Sequence, residues 1–270
     1  MLQPPYTRYE HLYVYHLDLP FAPEVHDPDM IGTWLEDGSA ILFFHRPKDN
    51  IIQLLCKKHG CNIIYQADLS YDDWEAGQKI EVFQVEDLTI APVWEPCAAD
   101  IRLDPSVIFG SGFHPSTRLC LETLLQYLDT PEIAINSMLD LGCGTGLLAI
   151  TAALKGVGHI TAVDHNPLAC TVARHNIQLN NVKHKITVHE ADLRSAIPST
   201  NVDLVIANLY RELLEHLFST PSFWQASYYI LAGFIPAMEE QLLAALPQKN
   251  LRLLERRKKE KWCLWVIARV

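Results

Sequence analysis

The chain has 270 residues, 49% of them hydrophobic and 20% charged, with a formal net charge of −10. That length holds one large or two ordinary domains around a packed core, and the balance excludes a disordered, collagenous or membrane-spanning chain. The acidity argues against direct nucleic-acid binding and suits a basic protein partner.

The start, Met1-Leu2-Gln3-Pro4-Pro5, has no basic region followed by an apolar run, so no secretory signal is expected. Residues 8–19 alternate loosely and are rich in Tyr, Val and Leu, which predicts a strand. Phe21 to Asp29, punctuated by Pro20, Pro23 and Pro28, reads as loop. Gly32 to Leu35 and Ala40 to Phe44 predict paired strands joined by the turn Glu36-Asp37-Gly38-Ser39. Pro47 is placed to open a helix whose apolar face is Ile51, Leu54 and Leu55, and Asn62 to Gln66 adds a strand. Cys56, His59 and Cys61 resemble metal ligands but lack a fourth partner at suitable spacing, so no metal is expected. The seven cysteines form no disulfide framework, which suits the reducing cytoplasm. These elements make a small α+β unit ending near Trp94-Glu95-Pro96-Cys97, giving domains at 1–95 and 96–270. A stabilising appendage and a substrate-recognition module both fit that unit.

Beyond the boundary, Ile101 to Arg118 crowds Gly110, Gly112, His114-Pro115 and Ser116-Thr117 into one loop ahead of an amphipathic helix. That helix carries Leu119, Leu121, Leu124, Leu125 and Leu128, and Ser116 or Thr117 is expected to cap it. The most informative stretch follows, Ser137 to Ile150. A buried strand, Met138 to Leu141, runs into Gly142-Cys143-Gly144-Thr145-Gly146 and then a helix. Glycines at alternate positions permit positive φ and leave no Cβ to block a ligand lying against the backbone. A second strand, His159 to Val163, ends in Asp164, roughly 20 residues past the glycines, where a ribose finds its hydrogen-bond acceptor. The G-x-G-x-G spacing favours a nucleoside with a charged amino-acid tail over a pyrophosphate.

Pro167 opens a helix through Leu179, and Lys185 to His189 predicts a third strand before Asp192. Asp192 is read equally well as an acceptor for an adenine amino group or as a turn residue. Val202 to Ala207 is a fourth strand, ending at Asn208-Leu209-Tyr210 in the zone where parallel sheets seat ligands. Ser227 to Leu231, a helix from Pro236 to Leu246, and a hairpin of Leu251 to Glu255 with Trp262 to Ala268 complete the chain. The basic run Arg256-Arg257-Lys258-Lys259 is expected in the turn of that hairpin as a solvated edge.

The glycine loop with Asp164 resembles the class I S-adenosylmethionine-dependent methyltransferases. Leu103-Asp104-Pro105, running on through Phe109-Gly110-Ser111-Gly112-Phe113-His114-Pro115-Ser116-Thr117-Arg118-Leu119, is more specific and resembles the signature loop of the PrmA family. That family methylates the eleventh protein of the large ribosomal subunit, on lysine side chains and the N-terminal amine. The resemblance runs from about Trp74 to the C-terminus and implies a Rossmann-like α/β sheet of seven strands, the last one antiparallel, behind a smaller N-terminal α+β domain. It also implies S-adenosylmethionine as donor, a ribosomal protein as partner and a cytoplasmic enzyme. The implied donor-binding residues are Phe109, Gly110, His114, Thr117, Asp140, Gly142, Gly144, Asp164, Asp192 and Asn208, with Asn208 as the catalytic residue.

Two departures stand out. Ser111 and Ser116 replace family threonines, both keeping the hydroxyl, and the family's helix between the first two strands is replaced by the Phe21-to-Asp29 loop. Methyl transfer from a sulfonium needs a neutral amine held in line more than it needs a general base. Asn208 is therefore expected to orient the amine, and His114 to pin its loop. A small-molecule or nucleic-acid methyltransferase, or a non-catalytic protein on the same fold, are the competing readings.

Overall fold

In the computed structural model, which describes residues 7–36, 38–74, 79–247 and 250–270, an antiparallel four-stranded sheet and a small mixed three-stranded one precede a large mixed sheet. The stretch Met1-Leu2-Gln3-Pro4-Pro5 and the turn residue Asp37 lie outside the described residues. Strands β1 (His11–Leu17), β2 (Met30–Glu36) and β3 (Ser39–Phe44) are followed by helix α1 (Asp49–His59) and strand β4 (Ile63–Ser70), in sheet order β2-β3-β1-β4. Alternation sorts their side chains. Tyr15, Leu17, Leu42 and Phe44 pack with Ile52 and Leu55 of α1, while Leu12, Val14 and Phe43 face the other way. A single turn, α2 (Tyr71–Trp74), leads to β5 (Phe83–Val85), β6 (Leu88–Pro92) and β7 (Ile101–Leu103). In this second sheet β6 pairs antiparallel with β5 and parallel with β7. The expected boundary at Trp94 to Cys97 thus falls in the connection between two paired strands.

Helix α3 (Pro115–Leu128) opens the main layer, followed by β8 (Ser137–Leu141), α4 (Leu147–Leu154), β9 (His159–Asp164), α5 (Pro167–Leu179) and β10 (Ile186–Glu190). Then come β11 (Leu204–Asn208), α6 (Arg211–Phe218), β12 (Tyr228–Phe234), α7 (Pro236–Ala245), β13 (Leu251–Lys259) and β14 (Trp262–Arg269). The sheet order is β10-β9-β8-β11-β12-β14-β13, with β14 antiparallel to both neighbours and the parallel pairs on its other side. This is the expected seven-stranded class I arrangement. Its central strands are covered on both faces, so they are apolar without alternation: Leu204, Val205, Ile206 and Ala207 are all fully buried. Residues of α3, α4 and α5 fill one face, those of α6 and α7 the other.

Away from the edge strand β4, the free face of the N-terminal sheet is covered. Leu12, Val14 and Phe43 share one apolar cluster with Val107, Ile108, Leu168, Ala169 and Val172 of the C-terminal part. Two tyrosines fasten the same seam, Tyr9 Oη donating to Asp104 Oδ1 at 2.9 Å and Tyr71 Oη to the Ser106 carbonyl at 2.6 Å.

Three local expectations need correction. The basic run lies within strand β13, and Glu260-Lys261 makes the turn. Arg257 and Lys259 point back to α3, bonding Thr123, Gln126 and Glu122, so their charge is used in packing rather than at a loop tip. On α1, Leu54 is 68% exposed, and Ile52 takes the buried position beside Leu55. The cap of α3 is the His114 side chain, which accepts the Ser116 N–H, because Pro115 occupies the first helical position. The segment between β1 and β2 is non-helical, as the prolines suggested.

Candidate active site

The carboxyl ends of β8, β9, β10 and β11 open on a cavity of about 600 Å³, lined among others by Phe109, Gly142, Gly144, Asp164, Asp192 and Asn208. It sits where strand order reverses between β8 and β11, the place where open parallel sheets bind ligands.

The glycine loop shapes the floor. Gly142 and Cys143 donate to the Val163 carbonyl at 2.8 and 3.0 Å, which turns the chain sharply out of β8. Gly144 has φ +52°, and a Cβ there would collide with the Phe109 carbonyl oxygen. The signature loop explains that proximity. Thr145 donates through its backbone N–H to the Phe109 carbonyl at 3.2 Å and through Oγ1 to the Gly110 carbonyl at 2.7 Å. The two glycine-rich stretches of the sequence are therefore one structure, and Phe109 is left half exposed on the cavity wall.

Asp164 ties this floor to the next strand. Its Oδ2 accepts the Gly144 N–H at 3.0 Å and its Oδ1 the Asn166 N–H at 3.0 Å. A carboxylate has about four acceptor sites, so each oxygen can still take a hydroxyl donor from the cavity. Asp192, beyond β10, also reaches the cavity, with Arg194 hydrogen-bonded to its carboxylate and holding it below the usual carboxylate range. Across the switch point, the Asn208 amide nitrogen donates to Thr117 Oγ1 at 3.3 Å. With that nitrogen engaged, Asn208 Oδ1 is the atom left to accept.

Four sequence candidates lie behind the cavity surface rather than on it. Thr117 is buried and acts through Asn208. Gly110 carries the carbonyl that anchors Thr145. His114 stacks edge-on between Phe109 and Trp262, at 5.0 and 4.7 Å between ring centroids, and burial lowers its pKa, so it stays neutral and accepting. Asp140 is fully buried and accepts a backbone hydrogen bond from Ala149 in the first turn of α4. Burial, and then the charge of Asp164, push its carboxyl up to about 7.

Sequence reasoning missed Glu190, His165 and Tyr210 in the cavity lining, each within two positions of a residue it did single out. It had no signal at all for Trp34, Leu35, Glu36 and Ser39, which reach the cavity from the N-terminal sheet. Among the described residues no group of three or more His, Cys, Asp or Glu side chains could hold a metal ion, and no helix is long and apolar enough to cross a membrane.

Comparison with known proteins fits this geometry. Residues 49–269 match the family described as ribosomal protein L11 methyltransferase (PrmA). Proteins named ribosomal protein L11 methyltransferase from Carboxydothermus hydrogenoformans and Thermotoga neapolitana are 32% and 33% identical. The first alignment covers 75% of this chain and 68% of the relative, the second 73% and 74%. A solved structure titled ribosomal protein L11 methylase, from Lactobacillus delbrueckii subsp. bulgaricus, superposes with a TM-score of 0.59 at 24% identity. It covers 70% of this chain and 98% of that one, and the likeness supports the fold. By the extent of the family match and of these relatives, the chain belongs to the ribosomal protein L11 methyltransferase (PrmA) family.

Proposed function

We propose that this protein transfers methyl groups from S-adenosylmethionine to amines of a ribosomal protein, lysine side chains or the N-terminal amine, in the cytoplasm. The observation that carries the reading is a single cavity at the sheet's switch point, bordered by bare backbone at Gly142 and Gly144, by Asp164 and by Asn208. The donor fits that lining. A Cβ at Gly144 would push away the Phe109 carbonyl that shapes the floor, and Asp164 keeps lone pairs for a ribose. When bound, S-adenosylmethionine supplies an electrophilic methyl group on a positively charged sulfur.

The chain's own task is to hold a neutral amine in line. A free lysine amine has a pKa of about 10.4 and is almost fully protonated at neutral pH. Removal from water lowers that value, and an acceptor aimed at the remaining N–H groups orients the lone pair. Asn208 Oδ1 suits this role because Thr117 fixes the amide. Held neutral and capping α3, His114 keeps Phe109 and the signature loop in position without moving a proton.

Charge supports a basic protein as acceptor. Residues 1–95 hold sixteen acidic and six basic side chains, and residues 96–270 sixteen of each, so the whole net charge of −10 lies in the N-terminal part. We take that part as the recognition unit, steering a basic partner toward the cavity. The test is methyl transfer from radiolabelled S-adenosylmethionine to isolated ribosomal proteins. Label in a large-subunit protein, on amines by mass spectrometry, is the expected result. Label confined to RNA or to small molecules would overturn the reading.

A further inference from the structure

One wall of the cavity does not come from the seven-stranded sheet. Trp34, Leu35, Glu36, Gly38 and Ser39 belong to the β2–β3 hairpin of the N-terminal sheet, yet they border the same space as Asp164 and Asn208. Backbone packing holds the hairpin there. Gly32 lies so close to Leu168 that a Cβ would fall inside the leucine side chain. Leu168 stands at the start of α5, four residues beyond Asp164. Side chains two apart on a strand share a face, so Gly32, Trp34 and Glu36 all turn toward α5, with Trp34 about 7 Å further along than Gly32. Trp34 and Asp164 line the same cavity, Trp34 from the hairpin and Asp164 from the end of β9.

The hairpin is fixed in itself. Ser39 Oγ donates to the Glu36 carbonyl at 2.7 Å and lies 2.6 Å from His16 Nε2. The Trp34 ring packs against the touching pair Phe43 and Trp74, at 6.5 and 6.2 Å between centroids. We propose that the β2–β3 hairpin is part of the donor site, its Trp34 and Glu36 bordering the nucleoside end beside Asp164. This rests on reading the cavity as a donor site. The indole offers a large apolar wall to a purine nucleoside. The Glu36 carboxylate adds negative charge that favours a cationic sulfonium over its neutral thioether product. The N-terminal unit thus acts on the methyl donor as well as on the methyl acceptor.

Calorimetry with S-adenosylhomocysteine on the full chain tests the inference. Trp34→Ala is expected to weaken binding about tenfold or more, which is on the order of 1.4 kcal/mol. Ile64→Ser, on the far edge strand of the same sheet and 56% exposed, should leave binding unchanged. Should Trp34→Ala not fold, Trp34→Phe keeps an aromatic ring in place. Trp34 is the one tryptophan lining the cavity among the described residues, so the ligand-induced change in tryptophan emission should vanish in Trp34→Phe. Wild-type affinity in Trp34→Ala, or an undiminished emission change in Trp34→Phe, would overturn the proposal. Failure of the wild-type chain to bind at all would sink the donor reading beneath it, and the inference with it.

Discussion

The two ends of this molecule solve different problems with different chemistry. At the switch point, strands β8 and β11 are buried on both sides, and the loop leaving β8 is fixed by hydrogen bonds to the carbonyls of Val163, Phe109 and Gly110. In the N-terminal sheet, β4 runs along an open edge with Ile63, Ile64 and Tyr65 40%, 56% and 60% exposed. Exposed apolar side chains on an edge strand are a liability, and a patch of them marks a surface suited to a partner. On the proposed function, the region held by hydrogen bonds is the one that receives the methyl donor, and the open edge is the one that meets the protein acceptor. The seam between them, through Gly32 and Leu168, lets the second region contribute to the first.

The largest expected effect breaks the rigid region alone. Gly144→Val forces a side chain into the Phe109 carbonyl at positive φ. Strain and clash together should weaken donor binding by about 100-fold or more, read by calorimetry. Next, Asn208→Ala removes the acceptor without touching the floor, so the turnover number should fall about 10²-fold while donor affinity stays within a factor of about two. A matching loss of donor affinity would assign Asn208 to binding instead.

Asp140 gives a subtler test through pH. Its carboxyl is neutral in the folded chain up to about pH 7 and ionises near 3.8 when unfolded. The folded state then holds the extra proton between those values, so this group's stabilisation is full below about 4 and is lost as pH rises through about 7. The wild-type melting temperature should therefore fall from pH 5 to pH 8 relative to Asp140→Asn, by on the order of 5 °C. Parallel curves for the two proteins would remove the buried-acid account. The smallest effect concerns the far side of the molecule, where Lys155 bridges Asp87 and Asp129. Both carboxylates are largely exposed, so Lys155→Ala should cost about 1 kcal/mol or less in a denaturant melt.

How much of this was legible in the sequence follows the same division. Gly142, Gly144, Asp164 and Asn208 could be read because each sits at a strand end within a local pattern whose chemistry is short-range. The strands themselves stood out as unbroken apolar runs. Trp34 could not be read, because its place on the cavity depends on Gly32 meeting Leu168 across 136 positions of chain. The basic run was misread for a related reason. Its alternation is written in arginine and lysine, and only the contacts of Arg257 and Lys259 with α3 reveal it as strand. Asp140 is among the donor-binding residues the resemblance implies, and its carboxyl is buried against the first turn of α4.

The account stands on one pocket receiving one nucleoside. Titration of the full chain with S-adenosylhomocysteine, set against Asp164→Ala, addresses that directly. Saturable one-to-one binding to the wild type, weakened about 100-fold by the substitution, is the predicted result. Equal binding to both proteins, or none to the wild type, would contradict it.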